Sequence, residues 1–120
     1  MEPLIVLAEY DEPGQLAGPL VQQGYRTEIV DTADAALRFC GINSVSVVIT
    51  RVIFRYGMSG VELISRLQLL ASPPRSILVS PHRSDSLRKI PGFPPPGVTL
   101  IQKPIVHDEL LKAVNLLVTA

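Results

Sequence analysis

The chain has 120 residues, of which 47% are hydrophobic and 18% charged, enough apolar material for a packed core and too little charge for intrinsic disorder. Eleven basic and eleven acidic residues cancel, so the basic excess expected of a nucleic-acid-binding surface is absent, and the single cysteine, Cys40, excludes an internal disulfide framework. No apolar run approaches the roughly 18 residues that span a bilayer, and Met1-Glu2-Pro3 carries an acid where a secretory signal carries positive charge. One cytoplasmic domain over residues 1–120 is the expectation, with neither membrane nor direct nucleic-acid contact.

Leu4 to Ala8 is a run of apolar residues, the mark of a strand buried on both faces. A helix around Pro13 to Gln22 follows, weakened by Gly18-Pro19, because Pro19 removes a hydrogen bond and kinks any helix it does not begin. After the turn signal Gln23-Gly24-Tyr25, the polar strand Arg26 to Val30 suits a position near a sheet edge. Asp31 and Thr32 cap a helix from Ala33 to Phe39, with Gly41 as its expected stop. A buried strand is expected from Val45 to Thr50. Ser59-Gly60-Val61-Glu62 then reads as a capping box, followed by Leu63, Leu67 and Leu70 at helical spacing.

Further strands are expected at Ile77 to Ser80 and Val98 to Ile101. Seven of the eleven prolines fall between Pro73 and Pro96. Pro94-Pro95-Pro96-Gly97 reads as a stiff extended connection, which confines the fourth helix to a short or irregular stretch near Asp85 to Ile90. In the last helix Leu110, Leu111, Val114, Leu117 and Val118 form one apolar stripe, and Asp108-Glu109 favour its positive end. This alternation predicts an α/β fold: a doubly wound, flavodoxin-like (βα)5 parallel sheet with strand order 2-1-3-4-5. Its functional crevice lies at the carboxyl ends of the strands, which directs attention to Glu9, Asp11, Arg51, Ser80 and Lys103.

Four segments resemble the receiver domain of two-component response regulators, and the resemblance spans the chain. Leu4 to Pro13 (LIVLAEYDEP) looks like the first strand with its magnesium-binding acids, and Thr50 to Gly60 (TRVIFRYGMSG) like the phosphoacceptor strand end, loop and helix start. Ser80 matches the hydroxyl that contacts the phosphoryl group, and Lys103-Pro104 the lysine and proline after the fifth strand. Taken over residue by residue, the resemblance makes Arg51, nine residues before Gly60, the phosphoacceptor position; the commoner eight-residue spacing would make it Val52. Neither accepts a phosphoryl group on a carboxylate. The acidic pair falls on Ala8 and Glu9, or on Glu9 and Asp11 if Tyr10 is bulged out. The switch aromatic falls on Leu100.

The resemblance therefore implies a degenerate receiver, a pseudo-receiver without aspartyl phosphorylation. Glu9 and Asp11 are a vestigial metal cluster; with Arg51 and Lys103 adding positive charge, magnesium binding is disfavoured and no cofactor is expected. Two fates are open to Arg51: a charge-assisted pair with Glu9 or Asp11, or a side chain turned outward to water. Partners implied by the family are a sensor kinase, a phosphotransfer protein, an output domain or a second copy, meeting a face that includes Pro91 to Gly97 and the helix from Val106 to Val118. No nucleophile–base or phosphate-loop motif points to an enzyme. The alternative function is a small-anion sensor in which Lys103, Arg51 and Ser80 line the pocket. His82, His107, Arg55-Tyr56 and Cys40 read as surface or packing residues.

Overall fold

In the computed structural model the described residues are 2–9, 13–80 and 89–119. Five parallel strands, β1 (Leu4–Ala8), β2 (Arg26–Val30), β3 (Val47–Arg51), β4 (Arg75–Ser80) and β5 (Thr99–Gln102), form one sheet in the order β2-β1-β3-β4-β5. Among the described residues the helices are α1 (Pro13–Gln22), α2 (Ala33–Ile42), α3 (Gly60–Leu67) and α4 (His107–Thr119). This is the flavodoxin-like arrangement expected from the sequence.

The continuous apolar runs follow from helices covering both sheet faces. Alternate side chains of one strand enter different cores. Ile5 and Leu7 of β1, Val47 and Ile49 of β3, and Ile77 and Val79 of β4 pack with Leu16 and Leu20 of α1 and Leu110 and Val114 of α4. Val6, Ala8 and Val48 face the other way, onto Ala33, Ala36 and Cys40 of α2 and Leu63 and Leu67 of α3. Leu78, Val52, Val61 and Ile64 make a third cluster, against which Ile90, Phe93 and Val98 pack. The proline-rich segment thus lays apolar side chains on the sheet. Asp85 to Arg88, the first residues of the expected fourth helix, lie outside the described residues.

The structure corrects several boundaries. Pro19 sits inside α1, which persists because Leu16 and Leu20 are buried; the carbonyl of Gln15, the bond partner a proline forfeits, belongs to an exposed residue and can be hydrated. Gly41 does not end α2; the helix runs on to Ile42, where the Asn43 side chain donates to the Phe39 carbonyl oxygen at 3.0 Å. β3 starts at Val47 rather than Val45 and reaches Arg51, β4 starts at Arg75, and β5 is displaced by one residue to Thr99–Gln102. β2 is an edge strand, in keeping with its polar sequence.

Candidate functional site

β1 and β3 are neighbours, and their register pairs Ala8 with Thr50. The next residue on each strand is therefore level with the other at the carboxyl end of the sheet: Glu9 and Arg51. The Glu9 side chain is 3% exposed and that of Arg51 20% exposed. Arg51 Nη1 donates to Glu9 Oε1 at 3.0 Å, a charge-assisted bond. On the other side of the carboxylate, Lys103 Nζ lies 3.3 Å from Oε2. One buried carboxylate thus holds two cations, one from the end of β3 and one from just beyond β5, both on the same side of β1 in the strand order. Of the two fates open to Arg51, the structure realises the inward pair, and with Glu9; Asp11 and Tyr10 lie outside the described residues.

The backbone around Arg51 is tightly constrained. Arg51 Nε donates to the Ile53 carbonyl oxygen at 2.6 Å, folding the side chain back over its own loop. Gly60, first residue of α3, donates its N–H to the Val52 carbonyl oxygen at 2.7 Å. A β-carbon at residue 60 would lie 1.9 Å from the Arg51 carbonyl oxygen, so only glycine permits α3 to begin this close to β3. Ser59 caps α3, its Oγ accepting from the Glu62 N–H at 3.1 Å. That is half of the expected capping box; the Glu62 carboxylate lies 3.6 Å from Arg66 instead.

The other sequence candidates are placed as follows. Ser80 ends β4 and is 1% exposed, and its carbonyl oxygen accepts from the Lys103 N–H at 2.9 Å. Lys103 follows β5, and the Lys103–Pro104 peptide is cis. Leu100 lies in β5 and is half-exposed. His107 is the exposed first residue of α4, while His82 and Arg83 lie outside the described residues. Arg55 and Tyr56 are exposed on the β3–α3 loop. Cys40 is buried in α2, and burial pushes its thiol up to about 11.

A cleft of about 230 Å³ opens beside the Glu9–Lys103 pair, lined by Gln15, Leu16, Pro104, Ile105 and His107 as well. Of the three residues expected to line an anion pocket, Lys103 borders this cleft. Gln15, Leu16 and Ile105 carried no sequence signal, nor did the Ile53 carbonyl, since a main-chain acceptor has no residue-type signature. Magnesium takes several oxygen ligands. The described strand ends supply one carboxylate, already shared by two cations, and no group of three His, Cys, Asp or Glu side chains is gathered among the described residues. Among the described residues the donor set is incomplete for the ion that a receiver resemblance implies; Asp11, the second acid of the expected cluster, lies outside them. No helix among the described residues is long and apolar enough to cross a membrane.

No protein-family model and no curated protein sequence matches this chain. Solved structures do. A response regulator receiver protein from Sinorhizobium medicae is 17% identical, with 99% of this chain and 96% of that one covered and a TM-score of 0.85. The signal receiver domain of an HD domain-containing protein from Pseudomonas fluorescens is 21% identical, covering 98% and 88%, with a TM-score of 0.83. A response regulator receiver domain protein from Methanospirillum hungatei is 20% identical, covering 99% and 95%, with a TM-score of 0.80. At these identities the likeness establishes the fold: this chain has the receiver-type flavodoxin-like architecture.

Proposed function

We propose that the chain is a pseudo-receiver: a cytoplasmic signalling module that works through contacts with a protein partner and without aspartyl phosphorylation, metal or catalysis of its own. The partner classes are a sensor kinase, a phosphotransfer protein, an output domain or a second copy. The observation that carries this reading is the Arg51–Glu9 bond at the end of β3. In a receiver, that strand end would present a carboxylate to a phosphoryl donor and share a divalent cation with the end of β1. Here the residue is a permanent cation, already paired with the β1 acid, and guanidinium has no route to an acyl phosphate.

The test is an amide-correlation NMR spectrum with and without magnesium and beryllofluoride, on wild type and Arg51→Asp. The wild type is expected to stay unmoved and the variant to respond around the strand ends. A wild-type response at Glu9, Ser80 and Lys103 would overturn the proposal. A second reading, ligand sensing, draws on the cleft between α1 and the β5–α4 connection. A thermal-shift series with small carboxylates and inorganic phosphate tests it; no shift at millimolar concentration rejects it.

A further inference from the structure

The Arg51 guanidinium does more than neutralise Glu9. Its Nη1 reaches the end of β1 while its Nε takes the Ile53 carbonyl, so one rigid planar group ties a buried carboxylate to the main chain of the loop between β3 and α3. The loop is held elsewhere as well. Val52 and Phe54 are buried, and the Gly60 N–H closes on the Val52 carbonyl at the far end. Between these points the loop displays Ile53 and Tyr56, 52% and 71% exposed.

We propose that Arg51 is a latch: its fork holds the β3–α3 loop in one conformation and thereby fixes how Ile53 and Tyr56 are presented. The inference rests on the pseudo-receiver reading for its significance, since a module that signals through contacts without a phosphoryl switch needs its contact surface preset. The loop geometry itself stands independently of that reading. Two physical points support it. A planar guanidinium loses less freedom per hydrogen bond than a flexible ammonium, so both bonds can be kept at once. Lys103 holds the second Glu9 oxygen, so the carboxylate keeps a cationic neighbour from outside the loop and is a fixed anchor for the latch.

Arg51→Lys separates the latch from the ion pair. A lysine retains a cation within reach of Glu9 but places a methylene where Nε now donates to Ile53. Hydrogen exchange at the Gly60 amide, with nitrogen-15 relaxation over residues 52–58, reads the loop; the Leu63 amide, bonded to the Ser59 carbonyl within α3, is the control. Both Arg51→Lys and Arg51→Ala should speed Gly60 exchange about fivefold, the factor for one net hydrogen bond, and raise loop mobility with the control unmoved. In Arg51→Ala, millimolar guanidinium chloride should slow that exchange again where the same concentration of sodium chloride does not.

A wild-type loop in Arg51→Lys would overturn the latch and leave only the ion pair, even if Arg51→Ala failed to fold. Equal effects of the two salts in Arg51→Ala would likewise overturn it, by assigning the change to ionic strength. The beryllofluoride experiment on wild type is a separate readout, so failure of the pseudo-receiver reading and failure of the latch are distinguishable.

Discussion

The Arg51–Glu9 pair makes a quantitative prediction. At 3.0 Å and an effective dielectric constant of about 20, two unit charges attract by about 5.5 kcal/mol. Most of this is offset by desolvating Glu9, whose side chain is 3% exposed, and by ordering the arginine. A charge-assisted bond of this kind retains a net value of about 1.5–3 kcal/mol. Arg51→Ala leaves Glu9 buried beside Lys103 and should cost about 2–4 kcal/mol, toward the low side of the roughly 3–5 kcal/mol for a buried ion left with no partner. Glu9→Gln should cost less, because the partly exposed guanidinium keeps the Ile53 carbonyl and gains water.

Urea unfolding followed by circular dichroism at pH 7, on wild type, both single variants and the double variant, should give a coupling energy of about 2 kcal/mol with unchanged m-values. The coupling should survive added salt, because a buried pair is weakly screened. In a Lys103→Met background it should increase, since Glu9 then depends more on Arg51. Coupling below about 0.5 kcal/mol would refute the reasoning.

Three further outcomes follow from the geometry. Gly60→Ala must displace the Arg51 carbonyl, only 1.9 Å from the new carbon, and should lower stability by about 1–3 kcal/mol or more in the same assay. Ser59→Ala removes the cap on Glu62 N–H and should cost about 1 kcal/mol, with Ser59→Asp restoring it. Cys40 has its thiol raised by burial from 9.0 to about 11. A raised folded-state value means its contribution is fully present below pH 9 and is lost as pH rises toward 11, so Cys40→Ala should flatten part of the alkaline fall in stability. An identical alkaline slope in Cys40→Ala would count against that burial effect.

Strand and helix order is legible from residue pattern alone, because runs buried on both faces and stripes at helical period are local features. β1 and β2 can be read to the residue, and the doubly wound order follows from parallel strands joined by helices. The sequence also places a cation, Arg51, at the end of β3. Tertiary structure decided what that cation does. Glu9 and Arg51 lie 42 residues apart, and only the β1–β3 register brings them level; Lys103 meets the same carboxylate from the end of β5. The survival of α1 across Pro19 was equally non-local, since the burial of Leu16 and Leu20 against the sheet outweighs one missing hydrogen bond. Residue type can say that a charge is present. Its partner, burial and reach to a main-chain carbonyl are set by packing, which is where this site acquires its character.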